Sequence, residues 1–203
     1  MTQRIALIDY GAGNLTSVRK GFAAAGAELY TPASPLELND AAGIVIPGVG
    51  HFSATASLDD RWRQQILARV AAGVPLFGVC LGMQWLFEGS DEAPGVTGLG
   101  LFPGSCTRLS ASATLKVPHV GWNTLTPART STLLDGVATD AHVYFTHTYA
   151  VPVTSDCAAT CTHGREFAAA VERDQVWGVQ FHPEKSSAAG LRILRNFVAR
   201  VSN

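Results

Sequence analysis

A cysteine lies between two glycines directly after a run of apolar residues. Pro75–Val79 leads into Gly78-Val79-Cys80-Leu81-Gly82, and Gly-x-Cys-x-Gly between a strand and a helix is typical of a nucleophile elbow. The glycines relieve crowding around a residue in a strained conformation, and the N-terminus of the following helix favours a thiolate. A buried cysteine that only packs at a strand end explains this segment equally well, because free cysteine is among the most buried residue types.

A thiolate nucleophile needs a base and a group that orients that base. The segment Gln180-Phe181-His182-Pro183-Glu184 offers both. In an extended backbone His182 and Glu184 face the same side and can pair, and Pro183 disfavours a helical conformation at His182. The alternative is that Glu184 only decorates the start of the last helix and that His182 packs at the surface. Considered with the elbow, the segment predicts a triad of Cys80, His182 and Glu184.

A glycine-rich segment follows another apolar run. In Pro47-Gly48-Val49-Gly50 the glycines free the backbone to direct N–H groups at a developing oxyanion, and the Leu81 N–H would be a second donor. Alone, Gly-Val-Gly after a strand is usually just a turn. The glycines also let a peptide unit exist in two orientations, only one of which presents the Val49 N–H. We therefore expect a resting and an active arrangement.

The first half of the chain alternates short apolar runs with amphipathic segments, a pattern of a fold that can bring these segments together. Short apolar runs predict strands, and residues recurring at helical spacing behind Asn14 and between Leu58 and Val70 predict helices. This alternation implies a parallel sheet with right-handed crossovers. The predicted strands are Arg4–Asp9, Gly43–Pro47 and Pro75–Val79.

The second half, from about Gly98, has shorter segments rich in β-branched and aromatic residues, separated by turn residues, so antiparallel or mixed strands are expected there. A final helix is expected from Ser186. We predict one α/β domain over residues 1–203. It is a three-layer open mixed sheet with a mostly parallel core, an antiparallel extension and helices on both faces. The predicted later strands are Leu115–Val120, His142–Tyr149, Phe167–Glu172 and Val176–Phe181.

Charge and composition argue against several classes of protein. Fifteen Lys and Arg against 16 Asp and Glu give a net charge of −1, so no basic excess exists to neutralise nucleic-acid phosphates. A hydrophobic content of 47% argues against a disordered chain. No signal-peptide layout is seen, and both long uncharged runs are broken by Gly and Pro, so no membrane span is expected. We expect a globular, cytoplasmic protein.

Two further patterns carry less weight. Cys157, Cys161 and His163 include the Cys-x3-Cys spacing of a zinc pair, but no second pair follows, so a metal site is not favoured. Gly11-Ala12-Gly13 follows the first strand as in a dinucleotide fingerprint. Thr16 stands where the third glycine would be needed, which argues against nucleotide binding.

The segments GVCLGMQ, QFHPEKS and PGVGHF together resemble class I, triad-type glutamine amidotransferases, and the resemblance covers essentially the whole chain. Three further segments, YGAGNLTSV, KVPHVGWN and YFTHTY, are similar to those of the glutaminase subunits of imidazole glycerol phosphate synthases, which act in histidine biosynthesis. KVPHVGWN and QFHPEKS are the most specific, although these subunits usually have Met where Val120 stands.

The resemblance implies hydrolysis of L-glutamine to glutamate and ammonia through a thioester at Cys80. His182 would be the general base and acid, and Glu184 would orient it. No cofactor or metal is needed for this step. The ammonia would pass to a separate cyclase subunit in a heterodimer, which makes imidazole glycerol phosphate and an aminoimidazole carboxamide ribotide.

The resemblance also implies two groups of binding residues. Those for glutamine and its oxyanion are Gly48, Val49, Gly50, Leu81, Gln84, Thr148 and Tyr149. Those towards the cyclase are Asn14, His119, Val120, Gly121, Trp122, Tyr144 and Lys185.

Two alternative functions remain at this point. Another triad amidotransferase, of the pyridoxal phosphate, anthranilate or GMP type, would share the triad but would not be expected to carry KVPHVGWN. A catalytically silent subunit that only scaffolds its partner would not need the intact set of Cys80, His182 and Glu184.

Overall fold

The computed structural model describes residues 4–113 and 115–202. Within these ranges the first half of the chain forms short strands alternating with helices, and the second half is mainly strands. The strands are β1 Ile5–Leu7, β2 Leu29–Tyr30, β3 Gly43–Ile46, β4 Leu76–Val79, β5 Gly89–Ser90, β6 Ser105–Arg108, β7 His119–Thr124, β8 Thr126–Pro127, β9 His142–His147, β10 Tyr149–Ala150, β11 Cys157–His163, β12 Arg165–Arg173 and β13 Val176–Val179.

Eight of these strands form one mixed sheet in the order β2-β1-β3-β4-β13-β12-β11-β8. The pairings from β2 to β13 are parallel, whereas β12, β11 and β8 are added antiparallel. The structure therefore confirms the predicted sheet with its mostly parallel core and antiparallel extension. Strand β13, late in the chain, lies directly beside β4, which carries the elbow segment at its end.

Helices cover both faces of this sheet. α1 and α4 pack on one face, and α2 and α3 pack on the other. The α-helices are α1 Leu15–Ala24, α2 Asp60–Ala71, α3 Leu81–Trp85 and α4 Ser187–Val201, and short 3-10 helices span Pro35–Asp40, Phe52–Ser57 and Pro183–Lys185. Among the described residues, no helix has both the length and the apolar character that crossing a bilayer requires.

The inner parallel strands β1, β3, β4 and β13 are apolar and fully buried, because they are covered on both sides. In β4, Phe77 and Val79 belong to the core under α1 and α4, while Leu76 belongs to the core on the opposite face. In β13, Trp177 and Val176 divide between the two cores in the same way. Alternation along each strand thus builds two hydrophobic layers from a continuous apolar run.

Helix α1 begins where the sequence predicts. The Asn14 side chain accepts a hydrogen bond from the Ser17 N–H at 3.1 Å, which satisfies one of the free donors of the first turn. Val18 and Phe22 are its buried residues. The cap fixes the start of the helix directly after the glycine-rich turn that leaves β1.

Two small sheets complete the second half, β10-β6-β5 and β7-β9. The strand expected over Leu115–Val120 is corrected here, since β7 runs from His119 to Thr124 and pairs antiparallel with β9. Pro118 lacks the N–H that a ladder needs, so regular pairing begins only after it.

Candidate active site

The register of β4 and β13 brings the two predicted catalytic segments together. Val79 lies opposite Val179 in the parallel pair, and the Cys80 N–H donates to the Val179 carbonyl at 2.8 Å. Because parallel strands end at the same edge of a sheet, Cys80 and Gln180 leave it side by side. His182 follows two residues later.

Cys80 has the strained conformation expected of an elbow, with φ +52° and ψ −107°. The flanking glycines are needed for space. A Cβ at Gly82 would lie 1.8 Å from the Ile46 carbonyl oxygen, and one at Gly78 would lie 2.8 Å from the Gly82 oxygen. The turn therefore packs against β3 more closely than any side chain permits, and it holds Cys80 at the start of α3.

His182 and Glu184 form the predicted pair. Nδ1 of His182 lies 2.9 Å from Oε1 of Glu184, and the two side chains are only 2% and 3% exposed. His182 has the extended backbone that the following residue, Pro183, predicts, although Glu184 itself lies in a 3-10 turn. The pairing therefore does not need an extended strand over the whole motif.

The backbone of His182 is fixed from two sides. Its N–H donates to the Tyr144 carbonyl at 2.9 Å, and its own carbonyl accepts from the Ser186 hydroxyl at 2.6 Å. The Tyr144 N–H in turn donates to the Ser186 hydroxyl oxygen at 3.0 Å. This small network locks the histidine between β9 and the start of α4, so its ring can turn only about its own side-chain bonds.

The imidazole of His182 is electrostatically tied to Cys80 as well as to Glu184. Burial acts to lower the pKa of His182, but the adjacent Cys80 and Glu184 outweigh it, so the pKa is raised. Nε2 is buried and makes no hydrogen bond to any residue that the structure describes. The ring is thus near the thiol, with its second nitrogen free to take a proton.

A pocket of about 230 Å³ opens beside the sulfur. It includes Cys80 and five of the residues predicted to bind glutamine, namely Gly50, Leu81, Gln84, Thr148 and Tyr149. Sequence reasoning missed four further lining residues, Glu92, Pro118, Thr146 and His147. The segments KVPHVGWN and YFTHTY contain three of them, but Glu92 stands in no motif that would have drawn attention to it.

Gly48 and Val49, two other residues predicted to bind glutamine or its oxyanion, do not line this pocket. They line a separate narrow cleft with His182 and Glu184, rather than the larger pocket. The Leu81 N–H donates to the Gly48 carbonyl at 3.4 Å. Since the C=O and N–H of one trans peptide point in opposite directions, the Val49 N–H is directed away from Leu81.

Buried amides support the floor of the pocket. The Gln84 side-chain amide donates to the Tyr149 carbonyl at 2.9 Å and to Gln180 Oε1 at 3.1 Å. The Gln180 amide in turn donates to the Cys80 sulfur at 3.7 Å. Gln180 stands in the quoted QFHPE segment, yet no pattern predicts its contact with the thiol.

Tyr10 is another neighbour of the site that sequence reasoning missed. Its hydroxyl donates to the Pro47 carbonyl at 2.7 Å, and a Cβ at Gly48 would lie 2.1 Å from the same hydroxyl. Burial and the nearby Cys80 raise the pKa of Tyr10. The side chain is therefore neutral, and its hydrogen bond to Pro47 supports the Pro47–Gly50 segment.

The residues predicted to face a partner divide into surface and interior positions. Val120 and Trp122 are 58% and 52% exposed, whereas His119 is only 4% exposed. Trp122 meets Tyr144 edge to face at 6.1 Å, and the Lys185 ammonium lies 5.7 Å from the Tyr144 ring centre. Asn14 and Lys185 border the narrow cleft that reaches His182. Gly121 is half-buried between its two exposed neighbours.

The cysteines outside the elbow are all free and buried. The Cys157 thiol donates to the Ala159 carbonyl at 3.2 Å, and the His163 ring bonds to the Lys116 carbonyl at 2.8 Å. In the part of the chain that the structure describes, no three His, Cys, Asp or Glu side chains are grouped as a metal ion would require.

Residues 6–201 match the family Glutamine amidotransferase class-I. A Gloeobacter violaceus protein named "Imidazole glycerol phosphate synthase subunit HisH" is 47% identical over all of this chain and 92% of its own length. A Xylella fastidiosa protein of the same name is 46% identical over 96% of both chains.

Solved structures show the same fold. The "Structure of PurLQS from Thermotoga maritima" matches with a TM-score of 0.76 over 98% of this chain and 99% of that chain, at 18% identity. At this identity the likeness concerns the fold alone.

Proposed function

Because the chain belongs to the class I glutamine amidotransferases, and among them to the HisH subunits of imidazole glycerol phosphate synthase, we propose that it hydrolyses L-glutamine and supplies the ammonia to a cyclase. The observation that carries this proposal is the arrangement of Cys80, His182 and Glu184 beside the 230 Å³ pocket. A nucleophile, a base and the group that orients the base stand together at one sheet edge.

The first half-reaction acylates Cys80. His182 donates its Nδ1–H to Glu184, so a neutral ring carries its free electron pair on Nε2 and takes the thiol proton there. The sulfur attacks the carboxamide carbon and forms a tetrahedral oxyanion. As the carbon–nitrogen bond breaks, the imidazolium returns the proton to the leaving nitrogen. Ammonia leaves and the glutamyl thioester remains.

The second half-reaction releases glutamate. His182 removes a proton from water, and the resulting hydroxide attacks the thioester. The sulfur leaves and recovers the proton from the imidazolium. Glu184 stabilises the imidazolium in both steps without itself transferring the proton. Since the thiol and the neutral ring are both restored, the site is ready for the next glutamine.

Glutamine binding is attributed to the pocket residues. The backbone of Thr148 and Tyr149 would hold the α-amino and carboxylate ends of the substrate, and Gln84 would support that wall from beneath. The contact from Gln84 to the Tyr149 carbonyl supports this assignment. The Glu92 carboxylate also reaches the pocket, where it would favour the positive α-amino group.

The oxyanion would be stabilised by the N–H groups of Leu81 and Val49. In the arrangement described above the first is engaged by Gly48 and the second is turned away. We assign this arrangement to the resting state. Rotation of the Gly48–Val49 peptide would free one donor and present the other, and the adjoining Gly50, at φ +108°, gives the segment the freedom to do so.

The partner would be the cyclase subunit of a heterodimer. It would dock over the exposed Val120 and Trp122. It would also contact the residues near the narrow cleft, which are Tyr144, Lys185 and Asn14. Exposed aromatic and apolar side chains with a neighbouring cation are typical of the centre of a protein interface. His119 would act from behind this surface, because its side chain is buried.

One amidotransferase domain over residues 1–203 is supported by the sheet, because β4 from the first half of the chain and β13 from the second half are neighbours in it. The four free thiols suit the reducing cytoplasm.

The test separates ammonia production from its use. In the assembled complex, Cys80→Ser should abolish synthesis driven by glutamine and leave synthesis driven by added ammonium salt unchanged. The reason is that Cys80 serves only to liberate ammonia. Cys106→Ala, a change at a buried thiol outside the triad, is the matched control and should retain both activities. Loss of both activities in a folded, assembled Cys80→Ser complex would contradict the proposal.

A further inference from the structure

Three histidines outside the triad lie together, and the first of them borders the pocket beside Cys80. His147 lines the pocket, and its Nε2 is 3.0 Å from Nδ1 of His119. The His119 ring stacks on that of His163 at 4.0 Å and on Phe145 at 4.7 Å. None of these side chains has a part in the hydrolysis described above.

The hydrogen bonds at the two ends of this group determine where each proton lies. Nδ1 of His147 is 2.9 Å from the Tyr149 carbonyl, which can only accept, so His147 carries its proton on Nδ1. At the other end, Asn123 Oδ1 accepts from the Thr124 N–H at 2.8 Å, so the Asn123 amide nitrogen faces His119 Nε2 at 3.3 Å. His119 Nε2 is therefore an acceptor.

The hydrogen bonds at both ends of this group of side chains require the same direction of donation. With its proton on Nδ1, a neutral His147 has an acceptor at Nε2, and a neutral His119 has its donor at Nδ1. The chain therefore runs from the Asn123 amide through His119 and His147 to the Tyr149 carbonyl without a mismatch. Burial first, and neighbouring histidine charge second, lower the pKa of His119 to about 4. Burial also lowers the pKa of His147, to about 3.

The last acceptor of this chain is the carbonyl that Gln84 also binds. Tyr149 O receives the His147 N–H and the Gln84 amide, each at 2.9 Å, so both of its lone pairs are used. This fixes the peptide that follows Tyr149, in the wall where Thr146, Thr148 and Tyr149 border the pocket. A wall held from both sides keeps its backbone groups at fixed positions for a ligand.

We infer that His147, held by His119 and Asn123, is a positioning residue of the glutamine pocket. The inference rests on the proposed function. The histidine relay, defined as Asn123, His119 and His147, holds the His147 ring in the orientation in which its Nδ1–H donates to Tyr149 O. Its outer member sits on β7 beside the exposed Trp122, so the relay joins the surface strand to the pocket wall.

Paired variants test this role kinetically in the assembled complex. His147→Leu removes the donor, and His147→Asn keeps an N–H near the Nδ1 position. The first should raise the KM for glutamine roughly five- to tenfold, the equivalent of one lost hydrogen bond, with kcat changed by less than about threefold. The second should keep the KM within about twofold. His119→Phe should raise the KM as His147→Leu does, and His119→Asn should keep it as His147→Asn does. His142→Leu, a change at an exposed histidine outside the relay, should leave both KM and kcat unchanged.

The tautomers themselves provide a readout that a merely structural role would not give. In the full chain labelled with 15N in its histidine rings, His119 and His147 should both show a protonated Nδ1 and a bare Nε2. His119→Phe should leave the proton of His147 on Nδ1, where the Tyr149 carbonyl still accepts it, and should change the 15N shift of the bare Nε2 because that atom loses its hydrogen bond.

The outcomes are distinguishable. A wild-type complex that releases no glutamate overturns the proposed function and this inference with it. Normal wild-type activity with an unchanged KM in both His147→Leu and His119→Phe overturns the inference alone, as does a proton on Nε2 of either wild-type histidine. Equal losses in His147→Leu and His147→Asn would also overturn it, because the retained donor would then have no effect.

Discussion

The carbonyl oxygen of Gly48 accepts a hydrogen bond from the Leu81 N–H at 3.4 Å. A proposed oxyanion donor is thereby occupied by the segment that must supply the second donor. The triad geometry of His182 and Glu184 is already formed in the same structure. The proposed gate therefore concerns one peptide unit rather than the assembly of the triad.

Glutamate release should consequently be slow in the isolated chain and fast only when the cyclase and its nucleotide ligand are both bound. A missing oxyanion donor is worth about 100- to 1,000-fold in turnover, and the ligand acts only if it favours the active arrangement over the resting one. The measurement is glutamate release by the chain alone, with the cyclase, and with the cyclase and its ligand. Equal turnover in all three would rule out the gate while leaving the glutaminase assignment intact.

A variant that lacks the proposed donor checks the same step. Val49→Pro removes the Val49 N–H and should abolish most of the activation by cyclase and ligand. Val49→Ala retains the N–H, and since the Val49 side chain is 37% exposed, its truncation removes little packing. It should therefore behave like the wild type once assembly has been checked by gel filtration. Full activation of Val49→Pro would show that another group stabilises the oxyanion.

His182 and Glu184 should differ in their effect on turnover. His182→Ala removes the group that transfers the proton and should lower kcat by about 100- to 10,000-fold. Glu184→Gln keeps a hydrogen-bond acceptor 2.9 Å from Nδ1 but loses its charge, so the loss should be smaller. Steady-state glutaminase assays of the activated complex measure both. Comparable losses would weaken the division of roles, and burst kinetics would then separate acylation from deacylation.

The pKa of His182 should fall when Cys80 is changed to Ser. Burial acts to lower this pKa, while Cys80 and Glu184 raise it. Serine in place of the cysteine removes one raising contribution, so the ring loses its proton at a lower pH than in the wild type. NMR titration of the ring measures the shift, with Cys106→Ala as the control that should titrate like the wild type. An unchanged or higher pKa in Cys80→Ser would contradict the coupling.

The sequence predicted the parallel half of the fold because its signals are local. Asn14 caps the first helix as expected, and the apolar runs of β3 and β4 are buried on both faces. The exact residues at which strand pairing begins depend on more than the local sequence. β7 begins at His119 rather than Leu115, because pairing depends on the partner strand β9 as well as on the residues themselves.

The candidate site was predictable as residue types but not as contacts. Cys80 and Gln180 are 100 positions apart, and only the register of β4 against β13 makes the amide reach the sulfur. The orientation of Gly48 could not be predicted, since glycine permits either arrangement. The bond between His119 and His147 likewise depends on the pairing of β7 with β9, where these two residues lie opposite each other.

The second glycine of the elbow should be intolerant of even one added methyl group. A Cβ at Gly82 would lie 1.8 Å from the Ile46 carbonyl oxygen, which belongs to the central strand β3 and cannot rotate away. Gly82→Ala should lower the free energy of unfolding by about 1–3 kcal/mol or more. Gly95→Ala is the control, because its Cβ would meet nothing within 4 Å, and its effect should stay within about 0.5 kcal/mol. Urea denaturation of both variants measures the difference. Equal stability of the two would mean that the turn below Cys80 can shift away from β3 without cost.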